Sequence, residues 1–138
     1  MSKTAVIYWS GTGNTEAMAK TVAKGAGLGA QLFAVSDFVA SKVDGFDAFA
    51  LGCPAMGSEA LEDSEFEPLF EEIKMKLAGK KVGLFGSYGW GDGEWMRSWE
   101  DNCAGAGISL AAESVICNDA PDDEALEACR ALGETLAQ

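Results

Sequence analysis

The stretch TAVIYWSGTGNT, residues 4–15, runs from an apolar, strand-like segment into a loop rich in glycine and hydroxyl side chains. A helix-like pattern, EAMAKTVAKGA, follows it. A strand, a tight loop and a helix in this order are typical of phosphate-binding turns in α/β proteins. The loop contains no Lys and no Arg. The sequence therefore predicts an anion site built from neutral donors.

Backbone and side chains of this loop both offer donors. Glycines in the loop allow a tight turn and a close approach of its N–H groups to a ligand. The helix behind it adds its N-terminal dipole and unpaired N–H groups. A plain strand–helix turn is the alternative interpretation, but the density of donors favours a ligand site. The residues concerned are Ser10, Gly11, Thr12, Gly13, Asn14 and Thr15.

The spacing of the residues in this loop limits which kind of phosphate ligand it can bind. A nucleoside-triphosphate loop needs a Lys directly after its last glycine, whereas Lys20 lies a full turn into the helix. The dinucleotide pattern needs a third glycine at position 16, where Glu16 stands and would face a pyrophosphate badly. A terminal monophosphate, as in a mononucleotide, fits better than either.

Composition limits the class of protein. The 138 residues fit one domain, 1–138, and 22 acidic against 10 basic residues give a formal net charge of −12. Such a charge disfavours nucleic acid and anionic membranes, and it favours a basic protein partner. No histidine is present, which excludes Ser-His-Asp triads. Without a visible signal peptide or membrane span, we expect a cytoplasmic monomer.

The four cysteines do not form a C-x-x-C pair, and most of them lie in apolar patterns. We therefore expect small buried side chains rather than a redox or metal site. The residues are Cys53, Cys103, Cys117 and Cys129.

Strand-like and helix-like segments alternate along the chain. Short apolar runs bounded by glycine or charge are typical of strands covered on both faces. The fold class predicted is α/β, a doubly wound five-stranded parallel sheet with helices on both faces. The predicted strands are Thr4–Trp9, Ala30–Val35, Asp47–Cys53, Lys81–Gly86 and Leu110–Cys117.

Polar residues that precede apolar stripes mark the helix starts. Asn14 or Thr15 is expected to cap the first helix, and Asp92 the third. Ser64-Glu65-Phe66-Glu67 has the pattern of a capping box for the second helix. One apolar stripe is predicted along that helix, formed by Phe66, Leu69, Phe70, Ile73 and Leu77. Asp122 or Asp123 is expected to open the last one, and a short helical turn is predicted over Asp37–Ser41.

Ligands of such sheets bind beyond the carboxyl ends of the strands, so the loops there are the candidate site. In PAMGSEALEDSE, Met56 is suited to an aromatic face, Gly57 frees the following peptide, and Glu59 can accept a ring N–H. In GSYGWGDG, Tyr88 and Trp90 stand among four glycines and are expected to be presented rather than buried. The alternatives are a loop Met on the core and a Trp packed under its own loop.

Three segments, IYWSGTGNTEAMA, LGCPAMGSEALEDSEFEP and GKKVGLFGSYGWGDGEWM, together resemble a short-chain bacterial flavodoxin of the clostridial type. The resemblance spans essentially the whole chain. It implies the strand order 2-1-3-4-5, for which flavodoxin is itself the standard example, and one non-covalent FMN. The cofactor-binding residues it implies are Ser10, Gly11, Thr12, Gly13, Asn14, Thr15, Pro54, Ala55, Met56, Gly57, Ser58, Glu59, Ser87, Tyr88, Gly89, Trp90 and Gly91.

The resemblance also implies individual roles. The hydroxyl and amide side chains of the first loop, with Ser87, would hold the phosphate. Met56 and Trp90 would flank the isoalloxazine ring, Glu59 would bind its N3–H, and Gly89 with neighbouring amides would reach the pyrimidine carbonyls. The Gly57–Ser58 peptide would turn its carbonyl toward N5–H when the neutral semiquinone forms.

The function expected is a low-potential electron carrier rather than an enzyme, shuttling single electrons between redox proteins. Negative charge around the ring disfavours a reduced, anionic flavin, and the acidic rim would guide basic reductases and acceptors. The alternative is an FMN-dependent NAD(P)H oxidoreductase; a flavin-free acidic adaptor is a third hypothesis. The acidic residues concerned are Glu59, Glu62, Asp63, Glu65, Glu67, Asp92 and Glu94.

Overall fold

The computed structural model describes residues 3–11, 13–56, 60–89 and 91–138. Five strands and four α-helices follow one another along them, and they alternate except between the second and third strands. The strands are β1 (Thr4–Tyr8), β2 (Ala30–Ala34), β3 (Ala48–Gly52), β4 (Lys81–Tyr88) and β5 (Val115–Asn118). The helices are α1 (Asn14–Ala26), α2 (Phe66–Ile73), α3 (Glu94–Gly105) and α4 (Asp123–Ala137).

All strands are parallel, in the order β2-β1-β3-β4-β5, which confirms the predicted fold class and strand order. At the carboxyl edge, Tyr8 stands opposite Ala34 on one side and Gly52 on the other. The order reverses between β1 and β3. A crevice therefore opens at this edge, between the loops that follow these two strands.

Successive side chains along each strand point to opposite faces of the sheet, so one hydrophobic core forms on each face. Ile7 and Phe49 belong to the core that also contains side chains of α2 and α3. Val6 and Ala50 belong to the core formed with α1 and α4. Both faces are covered by helices, which explains why the strands read as continuous apolar runs.

The connection from β2 to β3 contains no α-helix. Two 3₁₀ turns, Val35–Asp37 and Ala40–Gly45, replace the predicted turn over Asp37–Ser41. Aromatic packing fills this end of the core, where Phe33 and Phe38 make an edge contact with ring centroids 5.1 Å apart.

Helices α1 and α4 pack at backbone distance. A Cβ added at Gly133 of α4 would lie 2.1 Å from the carbonyl oxygen of Val22, and one at Gly25 would lie 2.1 Å from that of Arg130. Only glycine allows this approach. The position of α1, which carries the phosphate-type loop at its start, is thus fixed by α4.

Two predicted helix caps are wrong. The residue that precedes α1 is Gly13, and the one that precedes α3 is Gly93, both in the left-handed region with φ of 96° and 95°. Glycine takes this conformation without a steric penalty, so Asn14 lies inside α1 and Asp92 does not cap α3. Asp122 caps α4 as predicted, because its carboxylate accepts the N–H of Ala125.

The predicted capping box of α2 is also wrong. The helix begins at Phe66, and neither Ser64 nor Glu65 caps it with its side chain. The carboxylate of Glu62, which lies further upstream, accepts the N–H groups at this start instead. Of the predicted apolar stripe, Phe66, Phe70 and Ile73 are buried within α2 and Leu77 is buried beyond its end, whereas Leu69 is only partly buried.

Strand ends differ from the prediction mainly at the last two strands. β4 continues to Tyr88, two residues beyond the predicted end, and pairs there with Asn118. β5 starts at Val115 rather than Leu110, which makes only an isolated bridge to Val82. Within the described ranges, no helix is long and apolar enough to cross a membrane.

Candidate functional site

A groove of about 240 Å³ lies at the carboxyl edge of the sheet, where the loops after β1, β3, β4 and β5 meet. It brings together three of the predicted segments and adds residues that were not predicted. Its lining residues are Trp9, Gly11, Asn14, Pro54, Ala55, Met56, Ser87, Tyr88, Gly89 and Asp119.

The loop after β1 is shaped by its own hydrogen bond. The N–H of Gly13 donates to Oγ of Ser10 at 3.0 Å, and the carbonyl oxygen of Gly13 accepts the first helical bond from Ala17 at 3.0 Å. No described side chain caps α1 at Gly13. The N–H groups of the first helical turn are thus available to an anion. Thr12 lies outside the described residues.

Two hydroxyls join this loop to the sheet. Oγ1 of Thr15 and Oγ of Ser87 lie 3.4 Å apart, and both residues are buried. Each hydroxyl keeps further donor and acceptor capacity, and the pair lies beside a helix start without a side-chain cap. Such a pair is suited to bind a phosphate oxygen. The predicted association of Ser87 with the first loop therefore agrees with the geometry.

The loop after β3 closes on itself. Met56 and Ala60 form an antiparallel bridge, with N–H to carbonyl distances of 2.8 Å and 2.9 Å. The N–H of Ala55 donates to the carbonyl oxygen of Ser87 at 3.0 Å, which ties the loop to β4. Met56 is half-buried and faces the groove. Gly57, Ser58 and Glu59 lie outside the described residues.

The loop after β4 is less exposed than predicted at its start. Tyr88 ends β4, is half-buried and packs on Trp95 with ring centroids 5.5 Å apart. Its ring is held by the core, so it lines the groove without being fully presented. Gly89 and Gly91 are exposed, and Trp90 lies outside the described residues.

Asp119 is a groove residue that the sequence did not single out. It has a φ of 58°, the one positive value found at a described non-glycine residue. Its N–H donates to the carbonyl oxygen of Tyr88 at 2.8 Å, which places its side chain beside Gly89. Two features of the sequence are consistent with this position: Asp119 belongs to the loop after β5, and Asp tolerates the left-handed conformation better than most residues.

Trp9 was also missed as a site residue. Its ring covers the loop after β1, because a Cβ added at Gly11 would lie 3.1 Å from that ring. Its indole N–H donates to Oε1 of Glu65 at 3.2 Å. An aromatic residue directly after a strand at the reversal of strand order is the signal that could have found it.

The acidic residues that the sequence predicts around the ring end are partly neutralised. The carboxylates of Asp92 and Glu94 lie 3.0 Å and 2.7 Å from the guanidinium of Arg97. Glu62 is buried, with only 5% of its surface exposed. Asp63 and Glu67 are exposed.

Burial and hydrogen bonding oppose each other at Glu62. Desolvation raises the pKa of its carboxyl. Hydrogen bonds from the Ser64 hydroxyl and from the N–H groups of Phe66, Glu65 and Ser64 outweigh that effect and lower the pKa below its ordinary value. The group is therefore a charged structural acceptor at neutral pH.

The thiols agree with the predicted structural role. Burial is the main cause that raises the pKa of Cys53 and of Cys129 to about 12, and that of Cys103 and Cys117 to about 11. Such thiols carry almost no thiolate at neutral pH and are poor nucleophiles.

Comparisons with known proteins match nearly the whole length of this chain to one family. The flavodoxin family model matches residues 6–133. Flavodoxin from Clostridium beijerinckii is 48% identical over 135 residues, covering 96% of this chain and 97% of that protein. Flavodoxin from Megasphaera elsdenii is 46% identical with the same coverage. The solution structure of two-electron reduced Megasphaera elsdenii flavodoxin superposes with a TM-score of 0.88, covering 97% of this chain and 98% of that one.

Proposed function

The chain belongs to the flavodoxin family, and from this premise we propose that the groove at the carboxyl edge of its sheet is the FMN site of an electron carrier. The protein binds FMN and transfers electrons; it is not an enzyme with a substrate of its own. The full-length likeness to flavodoxins favours this function over an NAD(P)H oxidoreductase and over a flavin-free adaptor.

The described residues fit the phosphate end of FMN. The start of α1 has no side-chain cap, and the Thr15–Ser87 hydroxyl pair lies beside it. This meeting of the start of α1 with the end of β4 at one anion position is the observation that carries the proposal. We assign the phosphate to Ser10, Thr12, Asn14, Thr15 and Ser87, with Gly11 and Gly13 bringing the loop backbone close to it.

The groove also fits a flat ring. Its lining includes the thioether residue Met56, the aromatic residue Tyr88, and Pro54 and Ala55. We assign one face of the ring to Met56 and the other to Trp90. Glu59, the Gly57–Ser58 peptide and the amides of Gly89 and Gly91 are assigned to the polar edge of the ring, as the family likeness suggests.

Bound FMN supplies one-electron redox chemistry, and the protein tunes it. One exposed carboxylate about 10 Å from the ring contributes only about 0.4 kcal/mol in water-like surroundings. Only the sum of many such charges therefore matters, and this chain has a formal net charge of −12. We infer that this field, and the absence of a cation in the first loop, lower the potential for adding the last electron.

The same charge supports a partner assignment. Basic faces of reductases and of low-potential acceptors would be attracted to the groove's acidic rim, with strong salt dependence. We propose that residues 1–138 form one domain that acts as a monomer, since both sheet faces are already covered by the chain's own helices. We also propose that it acts in the cytoplasm.

Titration of the apo-protein with FMN tests the assignment. We expect one equivalent to bind, with quenching of flavin fluorescence by stacking, and riboflavin to bind more weakly. A redox titration of the complex should then give a low second potential. Failure to bind FMN in the folded apo-protein would contradict the proposal.

A further inference from the structure

We propose that Glu62 is a positioning residue that holds the loop after β1 and the Met56–Ala60 bridge in register across the FMN groove. It acts through the segment from Glu62 to Phe66, called here the α2 entry segment. The inference rests on the proposed function, because it concerns how the FMN groove is built. Glu62 does not line the groove itself.

The carboxylate of Glu62 organises the α2 entry segment. Its Oε1 accepts the N–H groups of Glu65 at 2.9 Å and Phe66 at 2.8 Å. Its Oε2 accepts the N–H of Ser64 at 2.8 Å and the hydroxyl of the same residue. A buried carboxylate thus satisfies three successive N–H groups that would otherwise have no partner at the start of the helix.

The backbone of Glu62 connects this segment to the end of β3. Its N–H donates to Sγ of Cys53 at 3.3 Å. Cys53 is itself fixed, because its N–H donates to the carbonyl oxygen of Phe85 at 3.2 Å and its carbonyl oxygen accepts the indole N–H of Trp95 at 3.1 Å. The chain between Cys53 and Glu62 contains the Met56–Ala60 bridge, so both ends of that loop are anchored.

The side chain of Glu65 makes the second connection, to the loop after β1. Its Oε1 accepts the indole N–H of Trp9, whose ring covers Gly11. The backbone N–H of Glu65 is the same group that Glu62 holds. Glu62 therefore makes both connections: its carboxylate orients Glu65, which anchors Trp9, and its backbone N–H anchors the chain that carries the Met56–Ala60 bridge.

Replacement of Glu62 by glutamine keeps the size of the side chain but changes which hydrogen bonds it can accept. Glutamine has nearly the same size, but its amide NH₂ would face backbone N–H donors, and the remaining oxygen cannot serve all of them. Buried donors left without a partner are costly, so the α2 entry segment should lose its fixed geometry. Both the phosphate end and the ring end of the groove would then be displaced.

Asp63→Asn is the matched control for Glu62→Gln. It removes the same charge one residue away, from an exposed side chain. Dissociation constants for FMN and riboflavin should be measured well below the unfolding temperature of each variant. Hydrogen exchange of the Ser64, Glu65 and Phe66 amides should be measured in the apo-protein.

We expect Glu62→Gln to weaken binding of both FMN and riboflavin about tenfold or more, and Asp63→Asn to change either by less than about twofold. In the apo-protein, amide exchange at the three positions should be faster in Glu62→Gln alone. Equal effects of the two substitutions would overturn the positioning role in favour of simple charge. A Glu62→Gln variant that folds and binds FMN and riboflavin with unchanged affinity would also overturn the positioning role.

A milder variant keeps the test valid if Glu62→Gln does not fold. Ser64→Ala removes one donor to the same carboxylate, and should weaken FMN binding about threefold. Unchanged affinity and unchanged amide exchange in Ser64→Ala would overturn the inference. If the folded wild-type protein binds no FMN, the proposed function fails, whereas the exchange data still decide whether Glu62 orders the α2 entry segment.

Discussion

The hydroxyl oxygens of Thr15 and Ser87 lie 3.4 Å apart, although 72 positions separate these residues along the chain. One lies in the first turn of α1 and the other near the end of β4. Their contact crosses the sheet from the loop after β1 to the strand that carries the loop after β4. The phosphate position that we propose therefore depends on tertiary structure as well as on the loop itself.

Thr15→Val should weaken FMN binding about ten- to a hundredfold, because it removes a hydroxyl donor to a charged phosphate at a buried position. Riboflavin has no phosphate, so its affinity should change by less than about threefold. Calorimetry or fluorescence quenching with both ligands measures this. Thr21→Val, whose hydroxyl donates to Ala17 within α1, is the control. Equal losses for the two ligands would show that Thr15 does not contact the phosphate.

Gly133→Ala should destabilise the protein by about 3 kcal/mol or prevent folding, because its Cβ would overlap the backbone of α1. Gly105→Ala, at the end of α3, meets nothing within 4 Å and should stabilise by about 0.5 kcal/mol. Urea denaturation of both apo-proteins gives the comparison. Similar midpoints for the two variants would mean that α1 and α4 can separate without cost.

The stability difference between wild-type protein and Glu62→Gln should depend on pH. The folded-state pKa of Glu62 is lowered, so its contribution is complete above the ordinary value of 4.5 and is lost as the pH falls through the lowered pKa. We expect about 2 kcal/mol at pH 7 and a smaller difference in more acidic solution. Urea denaturation of the two apo-proteins across this range measures it. A stability difference between the two proteins that grows as the pH falls would contradict a lowered pKa of Glu62 in the folded state.

The thiols should react slowly with a disulfide reagent at pH 8. With pKa values of about 11 to 12, only about one thiol in a thousand or fewer is ionised. Cys117 is half-buried, whereas Cys53, Cys103 and Cys129 are buried, so Cys117 should be modified first. Absorbance of the released thiolate follows the reaction, and unfolded protein gives the rate without burial. Rapid reaction of a buried thiol in folded protein would contradict the structural role.

Sequence patterns predicted the sheet because each strand is a short apolar run bounded by glycine or charge, and this signal is local. The stripe Phe66, Phe70, Ile73 and Leu77 was predicted for the same reason. The starts of α1 and α3 were misplaced because a glycine in the left-handed conformation can precede a helix where a polar side chain was expected. Residue type alone does not distinguish these two helix starts.

The parts of the site that the sequence missed depend on contacts between distant segments. Asp119 reaches the groove only because β5 lies beside β4, where its N–H meets the carbonyl oxygen of Tyr88. Glu62 was placed on the acidic rim, since nothing in the sequence showed that its chain folds back onto Cys53. Pairing of remote residues is set by packing, which local patterns do not encode.

The close contact of Gly133 with Val22 also has a consequence for biosynthesis. The loop to which we assign the phosphate is synthesised early, but the helix that supports α1 is synthesised after all five strands. We therefore expect a nascent chain lacking α4 to be unable to retain FMN. Cofactor loading would then follow release of α4 from the ribosome, and ribosome-bound intermediates would remain colourless.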